Sequence, residues 1–118
     1  MKLIDTSVLI DSLRKGSYKE GSISVITLIE MLRGVPPPKR RRVKQLLEES
    51  FDVLNIDNNV VLKYCDLYTI LKQKGQLVPD ADLLIAATAI TNNLVLVTKD
   101  EDFERLKELG LKLELEKK

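Results

Sequence analysis

Apolar residues along this chain fall into short runs whose spacing switches between strand-like and helix-like. Leu3-Ile4, behind Lys2, reads as a very short strand that ends at Asp5. Val8, Leu9 and Leu13 form a helical stripe over residues 6–14, with Asp5 or Thr6 as its cap. Two glycines and two serines between Lys15 and Ser22 predict a loop. Ser24 or Thr27 starts the next helix, with Leu28, Ile29 and Leu32 inward and a stop near Gly34. Pro36-Pro37-Pro38 cannot lie inside a helix. Pro38 nevertheless suits the first turn of a helix over 39–49, which turns Val43, Leu46 and Leu47 inward.

Phe51 to Ile56 reads as a strand. Asp57 or Asn58 caps a longer helix to about Lys74, with Val60, Val61, Tyr64, Leu67, Tyr68 and Leu71 inside. Gly75 and Pro79 bracket a turn, and Asp80 is the expected cap of an almost wholly apolar helix, Leu83 to Ile90. Leu94-Val95-Leu96-Val97 has the continuous apolar character of a strand buried on both faces. Residues 101–109 form a helix closed by Gly110, and Leu111 to Leu115 alternates like a half-exposed edge strand. Strands alternating with helices predict an α/β fold of one domain over residues 1–118. Its short, mainly parallel central sheet is flanked by helices, with right-handed crossovers.

Composition narrows the chemistry more than the fold. Apolar residues at 44% and charged residues at 31% belong to a globular chain. A net charge of +1 gives no overall attraction to nucleic acid, so any steering must come from local charge. No apolar run is long enough to span a bilayer and no leader-like segment opens the chain, so a cytoplasmic protein is expected. A single cysteine, Cys65, excludes an intrachain disulfide and reads as a small buried residue. Histidine is absent, which removes histidine-based catalysis and every imidazole metal site. Carboxylates, hydroxyls, lysine and arginine remain.

Four acids stand out by position. Asp5 and Asp100 follow the carboxyl ends of apolar strands, where open parallel sheets bind ligands. Glu30 lies beside the apolar stripe of its helix, and Asp82 falls in the first turn of the alanine-rich helix, where the helix dipole favours negative charge. Each also has a local explanation: Asp5 and Asp100 as caps, Glu30 as a surface residue, Asp82 as a helix-start charge. Gathered together they would repel one another and raise each other's pKa. A divalent cation with oxygen ligands, Mg²⁺ or Mn²⁺, removes that cost and can activate water at a phosphate. Six basic residues and no acid occur from Arg33 to Lys44. Arg33, Lys39, Arg40, Arg41 and Arg42 are therefore candidate RNA contacts, or else a solvated helix start.

Four segments in order resemble PIN-domain ribonucleases, specifically the VapC-type toxins of prokaryotic toxin–antitoxin pairs. They are Ile4-Asp5-Thr6-Ser7-Val8-Leu9-Ile10-Asp11, Ser24 to Gly34 around Glu30, Asp82-Leu83-Leu84-Ile85-Ala86-Ala87-Thr88-Ala89, and Val95 to Phe103 around Asp100. The resemblance implies a three-layer PIN-like fold and an endoribonuclease whose acidic core is Asp5, Glu30, Asp82 and Asp100. Mg²⁺ or Mn²⁺ would be held by Asp5, Asp82 and Asp100, while Glu30 orients water. Asp102, Thr6 and Thr98 would be accessory, and the products would carry a 5′-phosphate. It further implies transfer, ribosomal or messenger RNA as substrate, a homodimer and a small antitoxin. The antitoxin would lie over a groove using Leu9, Leu13, Leu32, Leu46 and Leu47. Tyr64 and Tyr68, four apart, suit a dimer seam or core packing.

Two rivals fit less well. A metal-dependent phosphatase would want an aspartate two residues after Asp5, where Ser7 stands, and a phosphotransfer receiver would want paired acids ahead of its phosphoacceptor aspartate, which are missing. An inactive acidic module that only grips a partner's basic side chains would not need the complete acidic set.

Overall fold

The computed structural model describes residues 1–17 and 19–117. Five strands, β1 (Lys2–Ile4), β2 (Ser22–Ser24), β3 (Asp52–Leu54), β4 (Val95–Thr98) and β5 (Lys112–Leu115), form one sheet in the order β3-β2-β1-β4-β5. All four pairings are parallel. Helices α1 (Thr6–Arg14), α2 (Val25–Arg33), α3 (Pro37–Ser50), α4 (Asn58–Lys74) and α5 (Asp80–Thr91), with a 3₁₀ helix over Glu101–Leu109, complete the α/β architecture. The all-parallel sheet agrees with the sequence expectation.

Side-chain alternation divides the core. Leu3 and Leu96 turn to one face, where they pack with α4, α5 and the 3₁₀ helix through Leu67, Leu83, Ile85 and Phe103. Their neighbours Ile4 and Val97 turn to the other, among Val8, Leu9, Leu28 and Leu47 of α1 to α3. A sheet covered on both faces needs apolar strands, which is why β1 and β4 carry almost nothing else. β1 is central and β4 is its neighbour, so Asp5 and Asp100 leave the sheet on one rim.

Several sequence expectations need correction. Ser22, expected at the end of a loop, instead opens the strand Ser22–Ser24, whereas Ser24 caps α2 as expected, its Oγ accepting the Ile26 N–H. Three residues with two serines give no readable alternation. Ile29 and Val61 are exposed, because α2 and α4 present adjacent residues to the core instead. Cys65 is exposed on α4, not buried. Asp80 does not cap α5: Pro79 holds that position, and Asp80 instead accepts the Tyr64 hydroxyl at 2.6 Å.

Gly21 allows the entry into β2. Its φ is +148°, and a Cβ there would sit 2.8 Å from the Lys2 carbonyl oxygen. Only glycine lets the backbone come that close to β1.

Candidate active site

The end of β1 delivers Asp5 into an almost fully buried position, where it caps α1. Its Oδ1 accepts the Thr6 N–H at 2.8 Å. Its Oδ2 accepts the hydroxyls of Thr98 at 2.6 Å and Ser7 at 3.2 Å. Burial raises its pKa above the ordinary value, against the pull of those three donors, and the nearby Glu30 charge adds to the rise. Asp5 is therefore both a cap and a group under electrostatic pressure, two readings the sequence set against each other.

Thr98 ends β4 fully buried. Its hydroxyl donates to Asp5 and accepts the Asp100 N–H at 3.1 Å, so one oxygen ties the two strand-end acids together. Asp100 starts the 3₁₀ helix, its Oδ1 accepting the Asp102 N–H at 2.9 Å. Asp102 itself faces solvent, 3.7 Å from Arg105.

Glu30 reaches the same region from α2. Its Oε1 accepts the Thr6 hydroxyl at 2.7 Å, and the Thr6 and Thr27 hydroxyls are 3.1 Å apart. Thr6 has one hydroxyl proton, and the carboxylate is the stronger acceptor. Arg33 stands 3.8 Å from Glu30 Oε2 but is itself well exposed. Ser7 and Thr27 were not singled out from sequence. Thr27 could have been, because it lies three residues before Glu30 on the same helical face.

Asp82 lies within electrostatic reach of the other acids. It sits half-buried in the first turn of α5, with no side-chain hydrogen bond to any described residue. Its pKa is pushed up to about 6, first by burial and then by the charges of Asp5, Asp100, Glu30 and Asp102. Three other segments, far apart in sequence, thus bring their charge to bear on one carboxylate. Among the described residues, however, no three acids are drawn around a single point at ligand distance. Asp5 and Glu30 are turned to their hydroxyl partners instead. The donor set still fits a hard divalent cation: it is all oxygen, and it contains a repelled carboxylate that no described residue hydrogen-bonds.

The basic residues differ among themselves. Arg40 Nε donates to the Leu32 and Val35 carbonyls at 3.0 and 2.9 Å, closing the carboxyl end of α2. Lys39, Arg41 and Arg42 are exposed on the first turns of α3. A cavity of about 730 Å³ is lined by Lys2, Ser22 and Asp52 at the starts of β1, β2 and β3, among others. None of the four acids lines it. Two of its charged residues, Lys2 and Glu114, neutralise each other across a 3.0 Å pair, and the four acids belong to the opposite rim of the sheet. A smaller apolar cavity of about 230 Å³ lies between α1 and α3, lined by Leu13, Val43, Leu46 and Phe51 among others. Leu13 and Leu46 are exposed there, whereas Leu9 belongs to the core and is fully buried.

Comparison with known proteins agrees with this architecture. The PIN-domain family profile matches residues 2–109. Ribonuclease VapC1 of Methanocaldococcus jannaschii is 44% identical over 115 residues, covering 94% of this chain and 85% of the relative. Ribonuclease VapC4 of Mycobacterium tuberculosis is 34% identical over 114 residues, covering 86% of this chain and 87% of the relative. Among solved structures, DNA-bound VapBC from Salmonella typhimurium matches with a TM-score of 0.82 at 25% identity, over 96% of each chain. VapBC-1 from nontypeable Haemophilus influenzae shares the fold, with a TM-score of 0.81 at 24% identity over 97% of this chain and 96% of that one. A profile spanning most of the sequence and a relative of this identity lead to one conclusion: the chain belongs to the PIN-domain family, in its VapC ribonuclease branch.

Proposed function

We propose that this chain is the ribonuclease toxin of a toxin–antitoxin pair and that it hydrolyses RNA phosphodiesters with Mg²⁺ or Mn²⁺. Asp5, Asp82 and Asp100 would hold the cation. The observation that carries this reading is Asp82, whose carboxyl is raised to about 6 by burial and by four other acids. A charge cluster of that kind is costly to the fold and is explained by a cation that offsets it. When bound, the cation activates water and stabilises negative charge on the phosphate.

The chain's own residues do the rest. Thr98 holds Asp5 and the start of the Asp100 turn in one register through its hydroxyl. Thr6 orients Glu30 through Oε1, and Oε2, which lies 3.8 Å from the exposed Arg33, is suited to orient a water. Arg33, exposed beside Glu30, is suited to a phosphate oxygen, and Lys39, Arg41 and Arg42 extend positive charge along α3 for the backbone beyond. Arg40 secures α2 and contributes to RNA only through its charge. Asp102 is an accessory acid at the rim.

The antitoxin would cover the apolar cavity between α1 and α3 through Leu13 and Leu46, and offer a basic side chain to the acids. Tyr64 and Tyr68, half-buried and stacked with ring centroids 6.1 Å apart, would sit at a homodimer seam. The RNA would be transfer, ribosomal or messenger RNA in the cytoplasm.

The test is sequencing of cut sites in total RNA after expression, comparing the native chain with Asp5→Asn. Discrete cuts that disappear in the variant, and in vitro with chelator, support the proposal. Equal cutting by Asp5→Asn, or cutting indifferent to chelator, contradicts it.

A further inference from the structure

The hinge between β4 and the 3₁₀ helix is Thr98-Lys99-Asp100. Its two outer residues face the acidic cluster, but its middle residue does not join them. Lys99 Nζ reaches across to α1 and lies 2.8 Å from Asp11 Oδ2. The Lys99 side chain is 18% exposed, less than any other lysine among the described ion pairs. With Asp11 33% exposed, the pair is partly shielded and is screened less by salt than a fully exposed one. Lys15, one turn further along α1, approaches the same Asp11 oxygen at 3.0 Å. Together Lys99 and Lys15 hold the Asp11 carboxyl below the ordinary carboxylate range, so its charge persists under mildly acidic conditions.

What the pair connects gives it meaning. α1 begins on its cap, Asp5, and the hinge ends on Asp100. One link between these acids is the Thr98 hydroxyl, which is near both. The second is the ion pair, which fastens the same hinge to the same helix 2.8 Å apart and six residues further on. The geometry points to Lys99 as a positioning residue: paired with Asp11, it straps the β4 hinge to α1 and sets the separation of Asp5 and Asp100. Lys99 does this without touching RNA. Its effect on rate rests on the proposed nuclease activity, whereas the strap itself does not.

Four variants test it: Asp11→Asn, Lys99→Gln, the double variant, and Lys15→Gln as a control that removes the other partner of Asp11. Two readouts are needed. The first is amide hydrogen exchange, by NMR, at Asp100 and Asp102, whose N–H groups bond within the hinge. The second is kcat and KM for Mn²⁺-stimulated cleavage of an oligoribonucleotide. Asp11→Asn and Lys99→Gln are each expected to speed exchange at both amides and lower kcat, each by about tenfold, with KM unchanged. The double variant should be no worse than either single, since only one interaction is lost. Amides of α4 and α5 should keep native protection, and Lys15→Gln should match the wild type.

Unchanged exchange at Asp100 and Asp102 overturns the strap whether or not the chain cuts RNA. A raised KM in Lys99→Gln but not in Asp11→Asn also overturns it, and makes Lys99 an RNA contact. Altered hinge exchange with no RNA cleavage by any variant or the wild type removes the nuclease reading and supports the strap.

Discussion

Replacing Asp82 by asparagine should make the metal-free protein more stable. The Asp82 carboxyl ordinarily titrates at 3.8, and in the fold it is pushed up to about 6 by burial and by four neighbouring acids. A rise of that size corresponds to about 3 kcal/mol disfavouring the ionised form, at 1.36 kcal/mol per pH unit. Asp82 is only half-buried, so solvent screening reduces the usable figure to about 1–2 kcal/mol. The sign follows from linkage. A folded-state pKa above the unfolded one gives a contribution fully present below pH 3.8 and lost as pH rises through about 6. At pH 8 the wild type therefore carries the penalty, and asparagine, with similar shape and no charge, does not. At pH 4 the difference nearly disappears. For a chain of this size the gain at pH 8 is about 4–8 °C in Tm.

Circular-dichroism melts in chelator at pH 8 and pH 4 measure both. Adding Mn²⁺ at pH 8 should stabilise the wild type and largely spare the variant, because binding to the native state stabilises it by mass action. An Asp82→Asn protein less stable than wild type at pH 8 in chelator would refute the reasoning. So would an equal advantage at both pH values.

Other expectations follow from single contacts. Thr98→Val removes the hydroxyl shared by Asp5 and Asp100 and should cost about 1–3 kcal/mol in urea denaturation, while Thr98→Ser should stay near wild type. Gly21→Ala forces a Cβ against the Lys2 carbonyl at positive φ and should destabilise by about 1–3 kcal/mol in the same assay. The Tyr64 hydroxyl, donating to Asp80, is held up to about 12. In Asp80→Asn, ultraviolet titration should show this tyrosine ionising at lower pH, and an unchanged titration curve would remove the Tyr64–Asp80 bond.

The parts of the fold visible in sequence were those where one physical demand dominates. A helix as uniformly apolar as Leu83 to Ile90 must be covered, and α5 is. A run such as Leu94 to Val97 must be buried on both faces, and β4 lies second from the edge beside the central β1. Acids directly after such strands had to share a rim, because parallel neighbours end on the same side.

Where two demands compete, sequence was less informative. Ser22-Ile23-Ser24 is buried as a strand although serine predicts loop, because its neighbours β1 and β3 supply backbone partners. Val61 and Cys65 lie on an amphipathic helix whose orientation is chosen by packing against α5, which leaves both in solvent. Arg40 read as part of a basic run, yet its guanidinium is spent on carbonyls of α2 and the following turn. The hydroxyl net of Thr6, Ser7, Thr27 and Thr98 was visible only in part, because short polar side chains acquire partners through tertiary approach.

Asp5, Asp82 and Asp100 are proposed to share one divalent cation. Crystals grown with Mn²⁺ and measured for anomalous scattering test it most directly. A manganese peak is expected within direct oxygen-ligand distance of all three carboxylates, with Asp5 and Asp82 turned toward it. Manganese found only elsewhere, or a peak that leaves Asp82 unligated, would contradict it.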